Sequence, residues 1–357
     1  MPSIYGEKIH VSIFGQSHSA AIGVVIDGLP AGVKIDMAEL GRFMARRAPG
    51  QGKYATARKE ADLPEFVSGV VDDVTCGAPV CALIRNTDTR SGDYANLRDV
   101  PRPSHADYPA YVKFGAAHDI RGGGHFSGRL TAPLCIAGGI ALQMLRARGV
   151  SIGAHIASVG SVNDARFDAV NVSTSDFDKI AANGFPVLDW QAGEKMLAEI
   201  ESARADADSI GGTIECAAVG LPAGLGDALF GGLEGRMSMA LFGVPAVKGV
   251  EFGNGFECAR LRGSQNNDPF AMEDGGVKTL TNNAGGILGG ITTGMPLIFR
   301  VAIKPTPSIG KPQQSISLSR MENAELVIKG RHDPCIVPRA VPVIEAATAL
   351  ALLDIML

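Results

Sequence analysis

Aromatic side chains are scarce in this sequence: one tryptophan, five tyrosines and fourteen phenylalanines among 357 residues. A core must therefore be assembled from Ala, Val, Ile and Leu, and 45 glycines imply many tight backbone turns. Charged residues are also few, at 20% against 46% hydrophobic, which excludes a disordered chain. The six cysteines form no Cys-x-x-Cys pair and no Cys/His spacing suited to zinc, so no metal site is expected and the thiols are read as reduced and buried. No apolar run reaches the length of a bilayer span. Leu130–Leu145 is too short and contains Pro133 and two glycines, and Met1–His10 has no apolar signal core. We therefore expect a soluble, cytoplasmic protein with no membrane partner. A net charge of −4 excludes a general nucleic-acid surface.

Several familiar site motifs are absent as well. No Gly-Lys-Ser/Thr follows the glycine-rich stretches, which excludes a Walker loop, and no dinucleotide fingerprint with its spaced acid is present. A Ser/His/Asp hydrolase built from Ser17, His105 and Asp333 lacks the Gly-x-Ser-x-Gly elbow.

What is present is patterned. Asp36 and Glu39 have capping-box spacing, and Met37, Leu40, Phe43 and Met44 then share one helical face that Pro49-Gly50 ends. Further helices are expected over Thr131–Arg148 and Gly193–Arg204, with a strand at Thr213–Val219. The nearly all-apolar stretch Val341–Leu357 reads as a terminal helix buried on most sides. The pentapeptide Gly28-Leu29-Pro30-Ala31-Gly32 recurs as Gly220-Leu221-Pro222-Ala223-Gly224, each copy after a strand-like run and before a helical one. The recurrence suggests a duplicated half with pseudo-two-fold symmetry, although five residues also recur by chance. No linker divides the chain, so a single α+β domain over residues 1–357 is expected.

Chemistry-bearing residues gather in a few segments. Gly15-Gln16-Ser17-His18 follows the first strand, Arg102-Pro103-Ser104-His105-Ala106-Asp107-Tyr108 reads as a loop, and Arg121-Gly122-Gly123-Gly124-His125-Phe126-Ser127-Gly128-Arg129 leads into a helix. A triple glycine before a helix lets backbone N–H groups approach an anion. Lys304-Pro305-Thr306-Pro307-Ser308 adds a cation and two hydroxyls on a stiffened loop, suited to a phosphorylated cofactor. Between Arg42 and Lys59 lie six cations and no acid, which suits a small polyanion. His18 and His105 are candidates for proton transfer near neutral pH. Gly330-Arg331-His332-Asp333-Pro334-Cys335 sets three ionisable groups on consecutive residues before the last helix.

Taken in order, these segments resemble chorismate synthase from about Gly15 to the C-terminus. The motifs that carry the likeness are Arg-Pro-x-His-Ala-Asp-Tyr, Arg-Gly-Gly-Gly, Leu261–Asn266, Ala-Gly-Gly-Ile-Leu-Gly-Gly, Lys-Pro-Thr and Gly-Arg-His-Asp-Pro-Cys. The resemblance implies a layered β-α-β sandwich, a homotetramer, and elimination of phosphate and a proton from 5-enolpyruvylshikimate 3-phosphate. It implies reduced FMN as cofactor without net redox change, with NADPH as a candidate reductant and an external flavin reductase as the favoured partner. By the same resemblance His18 is the acid near the departing phosphate and His105 faces the reduced flavin. Asp333 assists proton removal through the central flavin ring. Carried-over FMN contacts are His125, Phe126, Ser127, Pro245, Ala246, Gly289, Lys304, Pro305, Thr306, Pro307, Ser308 and Arg331, and Arg46, Arg47, Lys53 and Arg129 bind substrate or NADPH. The chain departs from the family pattern at Gln16, His125 and Lys53, where Glu, Arg and Arg are usual. The departures at Gln16 and His125 motivate an alternative, a flavin-binding paralogue without the lyase activity.

Overall fold

The structure, a computed structural model, describes residues 3–50, 62–86, 96–273, 275–328 and 333–357. The N-terminal half contains β1 (Ile4–Tyr5), β2 (His10–Gly15), β3 (Ala21–Asp27), α1 (Met37–Arg47), β4 (Glu65–Ser68), β5 (Val70–Val71), β6 (Val74–Thr75), β7 (Val80–Arg85), α2 (Asp107–Phe114) and α3 (Thr131–Arg146). Then come β8 (Ser151–Val159), β9 (Val162–Asn163), α4 (Thr174–Ala182), α5 (Trp190–Ala205), β10 (Gly212–Val219), α6 (Leu233–Phe242), β11 (Val247–Phe252) and a short helix α7 (Gly263–Asn266). The chain ends with β12 (Phe270–Glu273), β13 (Gly276–Thr279), β14 (Ile287–Leu288), β15 (Ile291–Thr292), β16 (Leu297–Ile303), β17 (Gln313–Ser317), β18 (Glu322–Leu326) and α8 (Val337–Met356).

Two antiparallel five-stranded sheets enclose a helical layer. Their strand orders are β1-β2-β3-β7-β4 and β11-β16-β10-β8-β9. Helix α3 packs on β3 and β7, α8 packs on β8 and β10, and the two helices pack on each other. This is the β-α-β sandwich that the resemblance implied. The helices approach closely because Gly138 has no side chain: a Cβ there would lie 2.2 Å from the Ala346 Cβ. Contrary to the expectation from sequence, Gly128–Arg146 is by length and composition able to cross a bilayer, but it is largely buried as the middle of this sandwich.

The sequence echo is structural. With the second sheet's order reversed, β9-β8-β10-β16-β11 matches β1-β2-β3-β7-β4, and α1 and α6 follow the two echoed turns. Each turn is stapled by one threonine in the same way. Thr75 accepts from Val33 N–H at 2.9 Å and donates to the Pro30 carbonyl at 2.7 Å. Thr292 accepts from Leu225 N–H at 2.9 Å and donates to the Pro222 carbonyl at 2.7 Å. The opening glycines have φ of +87° and +86°, values that a Cβ would disfavour. Chance recurrence of five residues does not reproduce a matched hydrogen-bond pattern and a matched strand order.

Charges inside the helical layer are paired. Glu345 on α8 takes both Nη groups of Arg46, at 2.6 and 2.8 Å, and the Ala154 N–H at 3.0 Å. Asp354 accepts from the Glu7, Lys8 and Ile9 N–H groups and from Arg236 at 2.8 Å. Asp36 caps α1 by accepting from Glu39 N–H at 2.8 Å, but Glu39 turns to Arg146, so only half of the expected capping box forms. Helix α8 starts at Val337, four residues before the expected start, with a proline in its first turn. Cys135, Cys216 and Cys335 are buried as expected, whereas Cys76 and Cys258 are exposed.

Candidate active site

A cavity of about 850 Å³ opens where the helical layer meets the ends of the two sheets. Its floor is apolar, formed by residues such as Leu134, Val343 and Leu350. Its walls carry Arg47, Arg102, His105, Arg129, Lys304 and Asp333. An apolar slot with a few convergent polar groups is the usual form of a cofactor site.

The His105 wall is a closed network. Asp107, at the start of α2, accepts from Arg102 Nε at 2.7 Å, Arg102 Nη2 at 2.8 Å and the Arg102 backbone N–H at 3.0 Å. His105 Nδ1 lies 2.6 Å from Asp107 Oδ1 and 3.1 Å from Arg102 Nη2. An ionised carboxylate can only accept, so the short contact to Asp107 assigns the proton to Nδ1 and leaves Nε2 as the acceptor. Burial, then the guanidinium of Arg102 and the ammonium of Lys304, lower the His105 pKa, against the hydrogen bond to Asp107. Burial would raise the Asp107 carboxyl, but the hydrogen bonds from Arg102 and His105 hold it far below the usual range. His105 is thus a neutral imidazole of fixed tautomer at neutral pH.

The triple glycine does not open a helix. Gly122, Gly123 and Gly124 have φ of +60°, +85° and +57°, the Gly123 N–H bonds to the Ile120 carbonyl at 3.0 Å, and α3 begins only at Thr131. These residues form a bare turn that lies against two imidazoles. A Cβ on Gly122 would sit 2.8 Å from His18 Nε2, and one on Gly123 would sit 3.1 Å from His105 Nε2. The Ser17 N–H bonds to the Gly124 carbonyl at 3.0 Å and fixes the His18 loop to the turn. His18 and His105, far apart in sequence, therefore lie against successive glycines.

Two arginines predicted as anion clamps meet on one carboxylate. Arg47 Nη1 donates to Asp62 Oδ2 at 2.7 Å, and Arg129 Nη1 donates to Asp62 Oδ1. Arg47 also donates to Thr131 Oγ1 at 3.0 Å and to the Gly128 carbonyl at 2.9 Å. Burial, followed by the neighbouring Arg339, pushes the Arg47 pKa down to about 10. Arg339, in the first turn of α8, donates through Nη1 to Asp333 and through Nε to the Arg47 carbonyl at 3.1 Å.

The remaining predicted residues divide. Phe126, Ser127, Pro245, Ala246, Thr306, Pro307 and Ser308 line the cavity. Ala246 has φ of +75°, a strained value for alanine, and its carbonyl accepts from the Lys304 N–H at 3.0 Å. Pro305 sits in the same loop without lining the cavity. Gly289 lies in the β14–β15 turn, outside the cavity lining. Arg46 faces Glu345 in a different hollow beside α1 and α4, so it is a structural ion-pair partner and does not line this cavity. His125 lines the cavity, but both ring nitrogens are engaged: Nδ1 donates to the Gly15 carbonyl at 2.8 Å and Nε2 meets Ser3 Oγ at 2.7 Å. Lys53 and Arg331, with Gly330 and His332, lie outside the described residues. Sequence reasoning missed Asp62 and Arg339 altogether. Arg339 could have been noticed as the lone cation of a mostly apolar helix.

The chorismate synthase family model matches residues 9–357. The chain belongs to the chorismate synthase family. It is 48% identical to chorismate synthase of Lancefieldella parvula, over 99% of this chain and 96% of that one. It is 47% identical to that of Thermococcus gammatolerans, over 98% and 96% respectively. A crystal structure of chorismate synthase superimposes with a TM-score of 0.77 at 27% identity, covering 98% of this chain and 92% of the other. The activity follows: a carbon–oxygen lyase of the shikimate pathway that forms chorismate with a reduced flavin as cofactor. The names of these relatives are those of the lyase and give no support to a non-catalytic flavin-binding paralogue.

Proposed function

We propose that the cavity binds FMN and 5-enolpyruvylshikimate 3-phosphate together, with His18, His105 and Asp333 handling protons. The observation that carries this reading is the shared glycine turn. It brings the two histidines together: His105 lines the cavity with Arg47, Arg129 and Asp333, and His18, outside that lining, lies against Gly122, which lines it.

The residues fit a flavin mononucleotide. The apolar floor suits the ring system, and the Lys304–Ser308 loop suits the phosphate-bearing chain. Thr306 Oγ1 is buried without a hydrogen-bond partner among the described residues, which leaves a donor for a ligand oxygen. Burial, then nearby Lys248, lowers the Lys304 pKa, so an anion beside Lys304 would be favourable. The reduced flavin supplies an electron-rich face to an elimination that has no net redox change.

The chain's own residues do the rest. Arg47 and Arg129 bind carboxylate and phosphate oxygens through planar, forked donors. His18 donates a proton or hydrogen bond to the departing phosphate, which eases cleavage of the C–O bond. His105 presents Nε2, held by Asp107 in one tautomer, to the cofactor's polar edge. The Asp333 carboxylate accepts the proton lost from the ring. Leu134, Val343 and Leu350 exclude water from the slot. Exposed Phe230, Phe256, Phe270 and Met272 offer apolar surface that contact between copies of the chain would cover, and a homotetramer, cytoplasmic operation and an external flavin reductase complete the reading.

The test is chorismate formation under anaerobic conditions with reduced FMN. Product should appear only with reduced flavin, and its absence there sinks the proposal. Consumption of NADPH by the purified protein with oxidised FMN would count against external reduction.

A further inference from the structure

We propose that Asp62 is a positioning residue that holds Arg47 and Arg129 in the geometry that receives the substrate's anionic groups. The inference rests on the reading of those two arginines as anion clamps.

Each oxygen of the Asp62 carboxylate takes one guanidinium: Oδ2 takes Arg47 Nη1 at 2.7 Å, and Oδ1 takes Arg129 Nη1. The carboxylate is 0% exposed, and the two arginine side chains are 4% and 5% exposed. Two buried guanidiniums facing one cavity repel each other, and Arg339 adds a third cation nearby. Without an anion between them they would turn apart or recruit solvent. A carboxylate spanning both forks fixes their planes and their separation while leaving Arg47 anchored to Thr131 and the Gly128 carbonyl. The backbone is arranged for this. Asp62 has φ of +50°, a left-handed conformation that Asp and Asn tolerate better than other side chains. Burial would raise the Asp62 carboxyl, but the two guanidiniums hold it below the usual carboxylate range.

Preorganised clamps lower the cost of binding a multiply charged substrate, because the arginines need not be ordered when it arrives. A residue that acts this way affects ground-state binding, so its loss is expected in KM more than in kcat.

Asp62→Asn keeps the shape and the backbone preference and removes the charge. KM and kcat for the substrate are measured anaerobically with reduced FMN, beside Asp62→Glu and Arg47→Lys. The expected result is a KM raised roughly 10- to 100-fold in Asp62→Asn, with a smaller change in kcat and partial recovery in Asp62→Glu. An unchanged KM overturns the proposal. A lowered KM also overturns it, since that would follow if Asp62 merely competed with substrate for the arginines. Should Asp62→Asn not fold, Asp62→Glu carries the test: it must show a KM above wild type while unfolding cooperatively, and a wild-type KM overturns the proposal. A normal KM in Arg47→Lys would overturn the clamp reading instead, and so separates the two failures.

Discussion

Asp107→Asn removes one charge and few atoms, and its consequences can be worked out from the contacts. Asp107 receives two side-chain hydrogen bonds and one backbone hydrogen bond from Arg102 and lies 2.6 Å from His105 Nδ1. The Asp107 and Arg102 side chains are only 3% and 4% exposed, so the substitution leaves a buried guanidinium without its counter-ion. Breaking such a pair costs about 3–5 kcal/mol, and asparagine, which retains one acceptor, should fall near the lower end. The chemical effect is distinct from this loss of stability. An asparagine amide can donate to Nδ1, which would move the imidazole proton to Nε2 and reverse the polarity of the group facing the cavity. Loss of a correctly poised acid–base group costs typically 10²–10⁴ in rate, and a fall of at least about 10² in kcat is expected. The pH dependence has a definite sign. Asp107 opposes the factors that lower the His105 pKa, so its removal lowers that pKa further. The acidic limb of kcat/KM should therefore move to lower pH. In the wild type the lowered His105 pKa contributes stability above the unfolded value near 6.5, and this is lost as pH falls through the folded value. The assays are anaerobic chorismate formation across pH, thermal unfolding, and nitrogen NMR of the histidine tautomer. A folded variant with near-normal turnover and the proton still on Nδ1 would refute the reasoning.

Three further outcomes follow from the same geometry. Asp333→Asn should still fold, with some loss of stability because Arg339 loses its counter-ion, and should lose nearly all turnover while still binding flavin; unchanged turnover removes Asp333 from the proton path. Gly123→Ala forces a side chain onto φ of +85° and toward a ring atom 3.1 Å away, so a loss of about 1–2 kcal/mol together with reduced turnover is expected. Wild-type stability and rate there would contradict the shared-turn reading. Arg46→Met should destabilise by about 3–5 kcal/mol by orphaning Glu345 and leave substrate KM nearly unchanged. A large rise in KM would return Arg46 to the substrate site.

The family and its chemistry were legible because their signals are local. Gly-Arg-His-Asp-Pro-Cys, the histidine-bearing loop and the Lys304–Ser308 loop are short runs whose residue types already state their chemistry. The helix at Met37–Arg47 was equally legible, since its capping residue, apolar spacing and terminating Pro-Gly lie within fifteen residues of one another. The echoed pentapeptides hinted at the duplication because the turn they form needs glycine at both ends. Other expectations failed where a side chain's partner lay far along the chain. Arg46 and Arg47 are adjacent in sequence and on one helix, yet one faces Glu345 and the other faces Asp62. Helical rotation of about 100° per residue separates them, and only the packing of α1 against α3 and α8 decides which one reaches the cavity.

The triple glycine shows the same division. The sequence by itself determined that the backbone there would be bare and turned, because three successive residues without Cβ atoms permit left-handed conformations that others resist. It also determined which imidazoles and carboxylates were available. Only the tertiary structure decided that the bare turn would receive His18 on one residue and His105 on the next. Packing of α3 on the first sheet brings the loop after β2 to the segment that precedes α3. That contact depends on strand order and helix packing, which pair residues about a hundred positions apart and leave no periodic trace in the chain.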